Sequence, residues 1–225
     1  MDDHMISPAE RRRLRVRDSI LEAAERVFAD EGEAGLSIRR IADEIDYSPA
    51  AIYKYFGSKD ELLNELKEAF FARILTNIND IYECSASFPE RARACVTGYV
   101  RTALEKPHHY IAAFAGQAPL APTPSDPEAF RSTNRAQAFM VLAGMVEEGI
   151  TNGHFRAELN PLDTAKAVWA SMHGIAMMMS HFQTFPNMSV LPSELSRDAF
   201  VDFHADLTIR GLETHPGQAV EKRGG

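Results

Sequence analysis

The stretch from Leu36 to Lys59, LSIRRIADEIDYSPAAIYKYFGSK, leaves this chain few ways to fold. Ser37 is a favourable N-cap, because its hydroxyl can accept from an otherwise unsatisfied N–H of a first helical turn. Ile38, Ile41, Ala42 and Ile45 follow at helical spacing and define one apolar face. Asp46 and Tyr47 supply a turn. Ser48 caps again, and Pro49 stands at the first helical position, where a missing N–H costs nothing. Ile52 and Phe56 anchor this second helix inward, leaving Ser48, Pro49, Ala50, Tyr53 and Lys54 facing outward. Gly57 ends the helix. Ser58 and Glu61 form the capping box of a third, with Lys59 in its first turn.

A short helix with an exposed N-terminus, small residues, a Tyr and a Lys suits a DNA major groove. In a helix-turn-helix the second helix enters the groove, and hydroxyls, lysines and helix N-termini take the phosphates. A plain helical hairpin with a solvated face has the same spacing. The residues themselves go further. Ser37-x-x-x-Ile41-Ala42, then Ser48, then the run Ile52-Tyr53-Lys54-Tyr55-Phe56-Gly57-Ser58-Lys59-Asp60-Glu61-Leu62-Leu63 resembles the signature of the tetracycline-repressor (TetR) family. That resemblance implies that Ser37, Tyr53, Lys54 and Lys59 hold phosphates while Arg39, Ser48, Pro49 and Ala50 approach bases. Arg39 and Arg40 are the direct donors expected for guanine. The family often carries Lys or Gly where Pro49 and Ala50 stand. Base readout there is therefore expected to rest on apolar contact with thymine methyls.

Charge narrows the partner. The 225 residues carry a net charge of −8, unlike a non-specific nucleic-acid binder, which is basic overall. Arg11, Arg12, Arg13, Arg15 and Arg17 nevertheless crowd one short segment, a local basic footprint on an acidic body. No apolar run approaches the ~18 residues that span a bilayer. No apolar h-region of a signal peptide opens the chain. A cytoplasmic protein is expected, with Cys84 and Cys95 reduced and buried rather than forming a disulfide framework.

The fold class expected is all-α: a three-helix helix-turn-helix domain over residues 1–58, then a helical effector-binding and dimerisation domain over 59–225. Residues 1 to about 12 and 213–225 are expected as flexible ends. Helices are expected at about Arg15–Asp30, Lys59–Tyr82, Phe88–Lys106, His108–Ala115, Pro127–Asn152, Pro161–Phe185 and, capped by Ser193, up to Leu212. The segment Thr164–Ser180 contains Trp169, His173 and Gly174, a Trp-x-x-x-His-Gly pattern that resembles one class of TetR-family effector domain. The resemblance implies a homodimer through the last two long helices, an operator of double-stranded DNA, and a small-molecule effector. An apolar pocket is expected from Phe114, Gln117, Phe139, Met140, Trp169, His173 and Met177, where Met and aromatic density suits a bulky apolar or aromatic ligand. The same stripe at helical spacing also describes an ordinary core.

Metal, cofactor and catalytic sites are not expected. His108 and His109, being neighbours on a helix, point apart. Cys84 and Cys95 have no Cys or His at zinc spacing, and no phosphate-cradling or nucleophile motif appears. Two other readings stay open: a protein-binding regulator using the basic segment, and an enzyme-like ligand-binding protein that no longer reads DNA.

Overall fold

The computed structural model describes residues 7–83, 87–105, 107–114 and 127–214. Among these, ten helices run in order: α1 Pro8–Gly35, α2 Ile38–Glu44, α3 Pro49–Ile52, α4 Lys59–Glu83, α5 Phe88–Glu105, α6 Pro107–Phe114, α7 Pro127–Arg131, α8 Asn134–Thr151, α9 Pro161–His181 and α10 Arg197–Arg210. Two isolated bridges, Phe155 with Glu213 and Met188 with Leu191, are the strand-like pairings among them. The chain forms two compact units. One holds the residues up to Phe70 together with α6; the other holds Phe71–Glu105 and the described residues from α7 onward. The helix α4 contributes to both.

The first unit is built on one apolar cluster. Ile20, Ala24, Val27 and Phe28 of α1 meet Ile38, Ile41 and Ala42 of α2, Ile52 of α3, and Phe56, Leu62, Leu63 and Leu66. The α1 stripe recurs at the spacing that puts one helical face inward. Gly32 ends its regular turn by adopting φ +68°, a left-handed conformation that favours glycine. Farther along α4, Phe70 meets Tyr110 and Phe114 of α6 with ring centroids 5.5 and 6.3 Å apart.

The described part of the expected flexible N-terminus is instead helical. The Ser7 hydroxyl accepts from Glu10 N at 3.2 Å, and Pro8 occupies a first-turn position. Arg11, Arg12 and Arg13 therefore lie on α1, which begins before the expected start at about Arg15. Arg17 is held internally, paired with Glu65 at 2.8 Å and placed 5.1 Å from the Phe56 ring centroid.

The second unit is a helical bundle in which α5 packs on α9 and α10, and α8 packs on α9. Buried Val96, Val100, Met145, Val146, Val168, Met172, Ala176, Val201 and Ile209 fill it. Arg93 bridges α5 to the C-terminal segment, bonding Asp206 at 2.9 Å and Glu213 at 3.2 Å. Thr214 donates to the carbonyls of Gly153 and His154. Glu213 and Thr214 are thus tied down, where sequence placed the start of a loose tail; residues 215–225 lie outside the described residues. Cys95 is buried and free, and burial pushes its thiol up to about 11, so it stays protonated. Cys84 lies outside the described residues.

Three boundaries in the second unit differ from expectation, each for a local reason. The helix expected from Pro127 to Asn152 breaks at Ser132–Thr133. There the Thr133 hydroxyl donates to Phe130 O at 2.7 Å and accepts from Ala136 N at 3.2 Å, ending α7 and capping α8. The helix α9 stops at His181 rather than Phe185, because Arg197 gathers the carbonyls that follow it. Ser196, not Ser193, caps α10, accepting from Ala199 N at 3.1 Å.

Two buried rings crowd the backbone at Gly149. A Cβ there would lie 2.3 Å from the Phe155 ring and 2.7 Å from Phe88. Gly149→Ala is therefore expected to destabilise the chain by about 1–3 kcal/mol, the usual range for overpacking. Denaturant unfolding of the variant beside the parent measures it.

Candidate nucleic-acid interface

The geometry of the Leu36–Lys59 stretch is set by caps and one turn. The Ser37 hydroxyl accepts from Arg40 N at 3.1 Å and opens α2. Tyr47 N returns to Ala42 O at 2.9 Å, and Asp46 between them takes φ +56°. A short polar side chain tolerates this left-handed conformation better than most. The Ser48 hydroxyl then accepts from Ala51 N at 3.2 Å and opens α3. The regular helix is only Pro49–Ile52, shorter than the Pro49–Gly57 span expected. It tightens after Ile52: Lys54 N bonds Ala51 O, and Tyr55 N bonds Ile52 O. Such i→i+3 bonds wind a last turn more closely. The third cap holds as well, with Glu61 N donating to the Ser58 hydroxyl at 3.0 Å. The Glu61 carboxylate reaches back to Gly57 N, one residue before the usual capping-box partner.

This frame places the expected DNA-contacting residues in different situations. Ser37, Arg39, Ser48, Pro49, Ala50, Tyr53 and Lys54 are exposed, and Ile52 and Phe56 beneath them are fully buried. Arg39 and Lys54 carry no ion pair among the described residues. Lys59 is half-buried, and its ammonium lies 3.3 Å from the Glu33 carbonyl. Arg40 is engaged within the unit. Its guanidinium bonds Glu31 at 2.7 Å and Glu44 at 3.0 Å, and Glu44 also takes Arg26 at 3.3 Å. Hydrogen bonds from Arg40 and Arg26 hold the Glu44 carboxyl below its ordinary range, and those to Glu31 and Glu44 raise Arg40 further. Spacing alone could not separate Arg39 from Arg40; the carboxylates at Glu31 and Glu44 do. Tyr47, 43% exposed in the turn, is a further candidate contact that the pattern did not single out. Its place beside Ser48 was the only signal for it.

The expected effector residues are divided between the two units. Phe114 belongs to the first unit, packed on Tyr110 with ring centroids 5.2 Å apart. Phe139, Met140, Trp169, His173 and Met177 belong to the second, and Gln117 lies outside the described residues. Met140 is 59% exposed and Trp169 is 36% exposed, its ring 5.6 Å from that of His173. Burial lowers the His173 pKa, favouring the neutral imidazole. A cavity of about 230 Å³ lies elsewhere, between Phe88, His154, Phe155, Ile209 and Glu213, and includes none of them.

A capped helix, a left-handed turn, and a second capped helix anchored by two buried side chains define a helix-turn-helix, here followed by a helical bundle. Comparison places it. Residues 20–66 match the model of the bacterial regulatory proteins of the tetR family, and residues 92–204 match the tetracyclin repressor-like C-terminal domain. The chain belongs to the TetR family of transcriptional regulators. It is 26% identical over 144 residues to the HTH-type transcriptional repressor KstR2 of Mycobacterium tuberculosis H37Rv, covering 64% of this chain and 71% of that one. A Rhodococcus sp. RHA1 protein of unknown function superposes with a TM-score of 0.70 at 24% identity, covering 88% of this chain and 96% of that one. The structure of the M. tuberculosis ketosteroid transcriptional regulator KstR2 gives 0.62 at 19% identity, over 89% and 96%. Several of the chain's matched relatives, KstR2 among them, are described as transcriptional repressors. No helix among the described residues is long and apolar enough to cross a membrane.

The two arginines are expected to part company on substitution. Arg39→Ala should weaken binding to a selected operator by roughly tenfold or more, the scale on which one arginine discriminates a base. Arg40→Ala should change binding less than about threefold, because its exposed ion pairs contribute little and to the fold alone. Fluorescence anisotropy on one duplex at fixed salt compares them.

Proposed function

We propose that this chain is a cytoplasmic homodimeric repressor, holding a near-palindromic operator with one α3 per half-site and released by a small apolar or aromatic molecule. The observation that carries the DNA reading is the exposed set Ser48, Tyr53 and Lys54 on a helix whose Ile52 and Phe56 are fully buried. A dimer with two-fold symmetry meets two half-sites about one helical turn apart, so operator symmetry follows protein symmetry.

Self-association is supported by the last two long helices. Met178 of α9, with Phe182 just beyond it, and Phe203 and Leu207 of α10 are each more than a third exposed. Large apolar side chains exposed on two successive helices are what an interface between copies would bury. The effector reading rests on the Met and aromatic lining expected from Phe139, Met140, Trp169, His173 and Met177. The description of one relative as a ketosteroid transcriptional regulator agrees with a bulky apolar ligand class. Effector and DNA must oppose each other equally, because their coupling is reciprocal. A differential affinity of ~2–3 kcal/mol gives a useful release. The helix α4 is the element through which that coupling would run, since Lys59 begins it and its later turns lie in the second unit.

The joint substitution Lys54→Ala and Lys59→Ala tests the phosphate contacts. It should weaken operator binding and make the log–log salt dependence shallower by about one to two units, near one for each phosphate no longer neutralised. Titrations across a range of salt read it. An unchanged slope refutes the phosphate assignment and returns the chain to the protein-binding reading.

A further inference from the structure

The turn between α2 and α3 turns an aromatic side chain toward water. Tyr47 is 43% exposed, and neither its ring nor its hydroxyl has a hydrogen-bonding or ring partner among the described residues. Tyr55, eight residues on, is by contrast half-buried against the apolar cluster of the first unit. The backbone at Tyr47 is nevertheless fixed. Its N–H donates to Ala42 O at 2.9 Å, Asp46 before it is left-handed at φ +56°, and Ser48 after it is extended as the cap of α3. The side chain is held at its root while its hydroxyl remains available.

Little else at that end of α3 can donate a hydrogen bond. Pro49 has no N–H and Ala50 no polar side chain. The Ser48 hydroxyl already accepts from Ala51 N at 3.2 Å, which leaves it a single proton to give. At the other end stand Tyr53, 53% exposed at the C-cap, and the exposed Lys54. Two exposed tyrosines thus bracket α3, one before its cap and one at its close. A phenol suits such a place, because its ring accepts apolar contact while its hydroxyl stays polar. On DNA, tyrosine hydroxyls donate to phosphate oxygens, and contacts of that kind set how a protein sits rather than which bases it reads.

We infer that Tyr47 is a DNA-binding residue whose hydroxyl donates to a backbone phosphate at the leading end of α3, complementing Tyr53 and Lys54 at the trailing end. The inference deepens the DNA reading proposed above and rests on it. A regular helix of four residues, led by Pro49 and Ala50, has little of its own with which to fix its angle to the groove. A phosphate held at each end supplies that restraint.

Tyr47→Phe tests this, since it deletes the hydroxyl and keeps the ring. On a duplex selected from a random pool by the full chain, the variant should bind about five- to tenfold more weakly, near the scale of one hydrogen bond to a charged acceptor. The loss should be the same factor on a scrambled duplex of equal length, because a phosphate contact carries no sequence information. The salt slope should not change, because a neutral hydroxyl displaces no counterion. Thermal unfolding of the protein without DNA should match the parent's. Methylphosphonate placed at successive phosphates should reveal one position that weakens binding by the parent and not by the variant, the coupling expected of two groups in contact. That coupling is read within each protein and does not require equal stability. A Tyr47→Phe variant that binds within twofold of the parent overturns the proposal, even where Tyr47→Ala is weaker, because only the ring is then used. A loss confined to the selected duplex also overturns it and assigns the hydroxyl to a base. If the parent selects no duplex, the DNA reading fails and the role of Tyr47 with it.

Discussion

The burial of Ile52 and Phe56 is the constraint on which the DNA-reading surface depends. A regular helix of only Pro49–Ile52 has no stability of its own, since a first turn fixes several backbone angles for few hydrogen bonds. Both anchors are fully buried in the cluster formed by α1, α2 and the first turns of α4. Their contacts hold the outward residues in one orientation. The caps at Ser48 and Ser58 add hydrogen bonds at either end, and Arg17 covers the Phe56 ring from α1. The presentation of α3 is therefore a tertiary property, though nearly all its determinants are local in sequence.

Charge is distributed by a similar logic. The chain is acidic overall, and several arginines near the reading surface are engaged internally. Arg26 and Arg40 share Glu44, Arg40 also takes Glu31, and Arg17 takes Glu65. Arg39 and Lys54 stay exposed outside those clusters. In the second unit, Arg91 with Glu148 and Arg93 with Asp206 and Glu213 join helices to each other and to the C-terminal segment.

How much of this was legible in sequence follows the range of the interactions. The caps at Ser37, Ser48 and Ser58, the turn at Asp46–Tyr47 and the anchors Ile52 and Phe56 act within a few residues, and the pattern named them all. The all-helical class followed from periodicity alone. The break at Thr133 escaped because Thr133 sits within continuous helical spacing, and only its hydroxyl geometry ends one helix and starts another. The end of α9 escaped because it depends on Arg197, a residue beyond the loop. Arg40 looked as suitable as Arg39 because its carboxylates lie on two separate helical segments. The expected effector set was weakest: Met and aromatic spacing does not distinguish a cavity wall from an exposed face, and Met140 and Trp169 are on the exposed side of that ambiguity.

The turn at Asp46 has a consequence for how this surface can change over generations. The angle between α2 and α3 is fixed by a backbone conformation and by side chains that point inward. Arg39, Pro49, Ala50, Tyr53 and Lys54 are exposed and take no part in the buried cluster that sets that angle. Exposed positions of this kind tolerate replacement with little effect on the fold. With DNA held as proposed, drift at Arg39, Pro49 and Ala50 would retune which sequence is preferred, and drift at Tyr53 and Lys54 how tightly any sequence is held, while the scaffold stays untouched.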